Sequence, residues 1–213
     1  MMEKDWKDMT LVEFSEELAS SSPTPGGGGA CAYVAALGVA LGRMVAALTT
    51  GKEKYAETQG ELDEIIERLK DNQEKMINGI EEDAKGFLPL AEAFALPRGT
   101  QAEIQHREMM IEACLLDAAK SPLNLMRSIV PIVLDLERLA DIGSVLAVSD
   151  AGSGVIFCKA AADAAILNVN INTKLMSDKM KAMSMNQEAK ALQNEITAIS
   201  EDALRIVSRK VKK

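Results

Sequence analysis

One histidine, His106, and three cysteines, Cys31, Cys114 and Cys158, are the whole stock of imidazole and thiol in this 213-residue chain. A zinc cluster of ordinary ligand spacing cannot be assembled from them, and no metal site is expected. The cysteines are odd in number, far apart and embedded in apolar helical pattern, which excludes a disulfide framework and points to reduced, buried thiols in a cytoplasmic protein. An excess of positive charge is also missing: 24 Lys and Arg face 32 Asp and Glu, a net charge of −8. Neither nucleic acid nor an anionic membrane attracts such a surface. The stretch Met1-Met2-Glu3-Lys4-Asp5-Trp6-Lys7-Asp8 has no apolar segment behind a basic start, so no secretory signal is expected. Residues 30–48 alone are long and apolar enough to suggest a membrane span, but they are mostly Ala and Gly and carry Arg43, which suits a buried central helix better. No run alternates β-branched and polar residues, and there is no internal repeat or low-complexity linker.

What is present is helical periodicity, with 47% apolar residues to fill one core. The expected fold is all-α, a single domain over residues 1–213 built as a bundle of about six to eight helices. Thr10-Leu11-Val12-Glu13 is a capping box opening a short helix that ends near Ser20, and Thr100-Gln101-Ala102-Glu103 repeats it after the loop Leu96-Pro97-Arg98-Gly99. A second helix is expected at about 28–48, and a charged amphipathic one at about 56–94 with a kink or break at Pro89. Pro122 is expected near the first turn of a helix that Pro131 bends. Glycines and serines between Asp141 and Gly154 should interrupt the pattern, and helices at about 150–176 and 184–211 complete the set. The second helix carries small residues on every side, and Ala160 to Ala165 repeat that character, so neighbours should approach closely and a second copy could cover the remaining faces.

Ser22-Pro23-Thr24-Pro25-Gly26-Gly27-Gly28-Gly29 delivers the chain into the second helix. Glycines there permit a tight turn, and the helix start offers unpaired N–H groups with a positive dipole end, suited to an anion or a polar ligand edge. Asp83 shares a helical face with Phe87 and Leu90, which aims its carboxylate inward and makes it a candidate acid or base. Glu81 and Lys85 have the spacing of a surface pair. Asn168 and Asn172 lie four residues apart on one face, where they either cross-link helices or grip the edge of a heterocycle. Ser149 and Asp150 precede the same segment, as a helix cap or as a carboxylate facing a cationic substrate. His106 sits in the charge run Gln105-His106-Arg107-Glu108 and reads as solvated rather than catalytic.

Taken in order, Pro23 to Gly28, Leu48-Thr49-Thr50-Gly51-Lys52-Glu53-Lys54-Tyr55, Asp83-Ala84-Lys85-Gly86-Phe87, Ala95-Leu96-Pro97-Arg98, Ser149-Asp150 and Asn168-Val169-Asn170-Ile171-Asn172 resemble the cyclodeaminase/cyclohydrolase family. That family comprises the cyclodeaminase domain of formiminotransferase-cyclodeaminase and the free-standing methenyltetrahydrofolate cyclohydrolases. The resemblance spans roughly residues 11–204 and implies an all-helical subunit, a homodimer or higher homo-oligomer, a tetrahydrofolate substrate, and no metal or organic cofactor. It implies catalytic roles for Asp83, Lys85 and Asp150, with Gly26, Gly27, Gly28, Ser149, Asn168 and Asn172 binding substrate. Two departures stand out: Gly29 replaces the usual serine after the three glycines, and Leu139-Ala140-Asp141-Ile142-Gly143-Ser144 lacks the usual Gly-Asn.

In 5,10-methenyltetrahydrofolate the one-carbon unit is a delocalised cation, which a carboxylate can hold while it deprotonates water, with Lys85 as a possible acid at the departing nitrogen. Hydrolysis of that compound, the cyclodeaminase reaction that forms it with loss of ammonia, and a non-catalytic helical oligomer or small-ligand binder are the three readings. The absence of a fused formiminotransferase favours the first.

Overall fold

The structure, a computed structural model, describes residues 6–212, so the first part of the amino-terminal stretch discussed above lies outside the described residues. Six α-helices follow in order: α1 (Leu11–Leu18), α2 (Gly27–Ala47), α3 (Gln59–Ala95), α4 (Gln101–Ile142), α5 (Val148–Leu175) and α6 (Lys179–Val211). Short 3-10 turns cover Trp6–Asp8, Glu53–Thr58 and Val145–Ala147, and no strand occurs among the described residues. Both capping boxes form. Thr10 Oγ1 accepts from the Glu13 N–H at 3.2 Å while Glu13 Oε2 accepts from the Thr10 N–H at 2.7 Å, and Thr100 and Glu103 do the same at 3.3 and 2.8 Å. Each satisfies donors that a helix start leaves open.

The bundle is built around α2 and α5, which pack against each other and against α3, α4 and α6. They run antiparallel, because Gly27 lies opposite Asn168 and Gly38 opposite Gly154 and Cys158. At that crossing the backbones touch: a Cβ on Gly38 would stand 2.8 Å from the Gly154 carbonyl, and one on Gly154 would stand 2.8 Å from the Gly38 carbonyl. Gly152 and Gly154 therefore serve close helix approach inside α5 rather than a turn, and the expected interruption from Asp141 to Gly154 shrinks to a few residues after Ile142. Both α2 and the Val145–Leu175 segment are long and apolar enough to cross a membrane by length and composition, each about half buried in the bundle.

The prolines lie inside long helices, and Pro122 departs from expectation. Neither Pro89 nor Pro131 ends its helix: α3 and α4 run continuously through them, with Leu90 and Ala93 buried just beyond Pro89. Pro122 opens no helix but sits buried in the middle of α4. Packing on both flanks holds these long helices together against the local cost of a missing N–H. α2 is closed by Leu48, in right-handed conformation, and not by Gly51: the glycine, at φ 75°, turns the chain three residues later, where its N–H donates to Gln59 Oε1 at 2.9 Å.

Candidate active site

The start of α2 does bind an anion, and the anion belongs to the protein. Gly26 caps the helix without a side chain, and the Gly29 N–H donates to Asp83 Oδ2 at 2.9 Å across 54 residues of sequence. The carboxylate stands against Gly28 so closely that a Cβ there would lie within 2.6 Å of both its oxygens. Glycine at this position is thus a requirement of Asp83's seat. Burial pushes the Asp83 carboxyl above its ordinary value, and the Gly29 hydrogen bond offsets part of that rise. A carboxylate of raised pKa, held by one backbone donor and aimed into a cleft, is suited to take a proton and give it back.

Facing the glycine turn from α5 are Asn168 and Asn172. Asn172 Nδ2 donates to the Ala118 carbonyl of α4 at 3.2 Å and to the Asn168 carbonyl at 2.9 Å, while Asn168 Nδ2 donates to the Ala164 carbonyl at 3.1 Å. Those carbonyl partners fix which end of each amide is the NH2 group, leaving the Oδ1 atoms as acceptors. The Ala118 carbonyl is available because Pro122, four residues on, has no N–H to give it. Of the two roles the sequence offered, helix cross-linking is observed, and it occupies only the Nδ2 end of Asn172.

Two cavities flank Asp83. One, of about 180 Å³, is lined by Thr24, Gly27, Phe87, Ile171, Asn168 and Asn172 together with Gly28 and Asp83. The other, of about 190 Å³, lies in the groove between α3 and α4 and is lined by Lys75, Met76, Ser121, Pro122, Leu125 and Ser128, again with Gly28 and Asp83. The same glycine and the same carboxylate form the wall between them.

Within one subunit the remaining expected residues stay outside this cleft. Lys85 is two residues from Asp83, about 200° around the helix, and its exposed ammonium pairs with Glu81 at 2.6 Å. It does not share the cleft with Asp83. Ser149 and Asp150 do not cap α5, whose first residue is Val148; they occupy its first turn, Ser149 exposed and Asp150 half-buried. Asp150 is eighteen residues before Asn168, about 27 Å along the helix, so it stands at the opposite end of the bundle. The Tyr55 segment gathers there too, its hydroxyl accepting from the Val145 N–H at 3.4 Å. His106 is exposed on α4. All three cysteines are buried and free; burial pushes the Cys158 thiol up to about 12, and burial with the nearby Asp83 charge pushes Cys31 up to about 11.

Sequence reasoning missed the whole α3/α4 cavity. Its signal was available in the spacing of Lys75, Gly79 and Asp83 at i, i+4 and i+8, and of Ser121, Leu125 and Ser128 on the facing helix. At Gly29 an added Cβ would meet Ile80 and Pro25 only at ordinary contact, 3.4 Å, so packing does not require glycine there, and the bond to Asp83 comes from the backbone N–H.

Residues 10–191 match the model of the family described as formiminotransferase-cyclodeaminase. The chain is 35% identical over 202 residues to a methenyltetrahydrofolate cyclohydrolase from Methylorubrum extorquens, an alignment covering 95% of this chain and 97% of that protein. It is 29% identical over 195 residues to the formimidoyltransferase-cyclodeaminase of Mus musculus, covering 88% of this chain but 36% of that longer protein. The crystal structure of formiminotetrahydrofolate cyclodeaminase from Thermotoga maritima superposes with a TM-score of 0.86 at 26% identity, covering 96% of this chain and 98% of that one.

Proposed function

The chain belongs to the formiminotransferase-cyclodeaminase family, a family of enzymes, and from that premise we propose that it hydrolyses 5,10-methenyltetrahydrofolate to 10-formyltetrahydrofolate. The observation that carries the reading is the position of Asp83 on the wall shared by two cavities. Tetrahydrofolate is itself two-lobed, with its one-carbon unit at the joint between the pterin and the benzoyl group. A substrate lying across both cavities has its reacting carbon beside the one carboxylate that borders both.

The chemistry then needs one proton carrier. Asp83 accepts a proton from water as the oxygen bonds to the methenyl carbon, and the positive charge is quenched in the tetrahedral adduct. On collapse the bond from that carbon to N5 breaks, the electron pair stays on N5, and Asp83 returns the proton there. The adduct's hydroxyl proton leaves to solvent as the formyl group on N10 forms. The raised pKa of Asp83 serves both halves, Lys85 is not required as the acid, and no metal or organic cofactor enters the balance. Asn168 and Asn172 hold the pterin through their free carbonyl oxygens, which face the N–H donors of its pyrimidine edge.

The relative from Methylorubrum extorquens, which this chain matches from end to end, favours the hydrolase reading; the Thermotoga maritima structure favours the cyclodeaminase. Purified protein given each substrate separates them. Loss of the methenyl absorbance well above the buffer rate supports the proposal. Ammonia release from the formimino compound without that loss assigns the cyclodeaminase, and buffer rates with both refute the reading.

A homodimer completes the proposal. α5 leaves Ile156, Phe157, Leu167 and Ile171 exposed along one stripe with Ala160 between them, and Ile171 also lines the Asn168 cavity. Asp150 and Asn168 are five full helical turns apart, on the same side of α5 and equidistant from Lys159. A two-fold axis crossing α5 at Lys159 brings Asp150 of the second copy to the level of Asn168. Mixing inactive Asp83→Asn with inactive Asp150→Asn under subunit exchange should then restore about a quarter of wild-type activity, since half the dimers are mixed and each mixed dimer has one intact site. No recovery refutes the shared site.

A further inference from the structure

We infer that the α3/α4 cavity seats the benzoylglutamate arm of the substrate, with Lys75 pairing its carboxylates. This rests on the folate reading above and goes past it by fixing which way the substrate lies. α3 and α4 run antiparallel here, since Gly86 packs on Ala118 and Ser121 while Arg68 bonds to Asp135. The groove therefore leads from Asp83 and Ser121 at one end to Lys75 and Ser128 at the other. Eight helical residues separate Asp83 from Lys75, about 12 Å along the axis.

That length matches the arm. From N10, one benzene ring and one amide lead to a glutamate whose two carboxylates lie roughly 9 to 12 Å away by standard bond lengths. With the reacting carbon at Asp83, the ring lies against Met76, Pro122 and Leu125, and the carboxylates arrive at Lys75 with Ser128 beside it. Lys75 is exposed, and among the described residues it takes part in no ion pair. The carboxylate of Glu82 also borders this cavity, but it is seven residues from Lys75, about 10 Å, and so lies at the Asp83 end. The reverse orientation fails on charge and on hydrogen bonding. Among the described residues no cation lines the Asn168 cavity, so a glutamate dianion there would face the Asp83 charge, while the pterin's donors would lose the two amide oxygens.

The test compares two substrates that differ only in the glutamate: 5,10-methenyltetrahydrofolate and 5,10-methenyltetrahydropteroate. Lys75→Gln should raise KM for the first about tenfold while kcat stays within about threefold, and Lys75→Glu should raise it further, whereas neither changes KM for the pteroate by more than about twofold. Equal shifts with both substrates, or no shift with either, overturn the inference. If the wild type turns over neither substrate, the reaction assignment fails instead, and the arm's seat is then read by calorimetry with p-aminobenzoylglutamate. Binding that Lys75→Glu abolishes supports the seat, and binding that survives it, or none to the wild type, overturns it.

Discussion

Gly28→Ala is the smallest change that strikes the site without touching a side chain in it. The added methyl would enter within 2.6 Å of both Asp83 oxygens, where ordinary van der Waals contact requires well over 3 Å, so the carboxylate must retreat by about 1 Å. Its 2.9 Å hydrogen bond from the Gly29 N–H is then lost or badly bent. A hydrogen bond to a charged group contributes about 1.5 to 3 kcal/mol, of which alanine's better helix propensity returns up to about 1. A net loss of about 1 to 2 kcal/mol lowers Tm by a few degrees in a chain of this size. The catalytic effect is larger, because a misplacement of about 1 Å costs about a hundredfold in rate, equivalent to about 2.7 kcal/mol of barrier.

Gly29→Ala is the matched control, since its methyl meets only 3.4 Å contacts and the N–H to Asp83 survives. Methenyl hydrolysis followed by absorbance, with a thermal melt of each variant, gives both numbers. Near-normal kcat/KM in Gly28→Ala, or an equal loss in Gly29→Ala, refutes the argument that the turn exists to seat Asp83.

Asp83→Asn should abolish turnover without lowering stability at neutral pH. The folded pKa lies above the unfolded one, so the folded chain holds this proton more tightly; stability falls as pH rises from the unfolded value through the folded one and stays lower above it. The amide removes that penalty, so its Tm should equal or exceed wild type at pH 7 and the gap should close in acid; a Tm several degrees lower at pH 7 refutes the assignment. Wild-type kcat should fall on the acid side with an apparent pKa above the ordinary carboxylate range, and a limb at the ordinary value argues against Asp83 as the base. Pro122→Ala restores an N–H to the Ala118 carbonyl and competes with Asn172 for it, so KM should rise severalfold while Tm stays level or increases; an unchanged KM would show that the freed carbonyl has no part in binding. Cys31 and Cys158 should resist thiol reagents at pH 8 until the chain is unfolded, and stoichiometric labelling of either in the native protein contradicts their burial.

The helices and their caps were legible because their causes are local. Thr10 with Glu13 and Thr100 with Glu103 are three residues apart, and the hydrogen bonds they predict involve nothing else. Glycine and proline were legible only in part, because each has two uses that look alike in one dimension. Gly51 turns the chain after α2, whereas Gly154 lets α2 touch α5, and its counterpart Gly38 lies more than a hundred residues earlier. Pro122 reads as a helix start until Asn172 is seen taking the carbonyl that it frees.

The candidate site divides along the same line. That Asp83 turns inward followed from Phe87 and Leu90 on its face; that α2's first amides would meet it depended on a register between two helices that no local spacing encodes. Helical phase, by contrast, is carried by the sequence throughout. Two residues, about 200° of rotation, already separate Lys85 from Asp83, whereas eight residues leave Lys75 only about 80° from it, and both line the α3/α4 groove. Eighteen residues likewise place Asp150 in phase with Asn168 yet far beyond its reach. A resemblance that gathers these residues into one site is therefore at odds with the phase and length of a single chain, and a second copy reconciles them only for Asp150. For Lys85 the helix leaves no such route to its own Asp83, and the lysine that shares a cavity with Asp83 is Lys75.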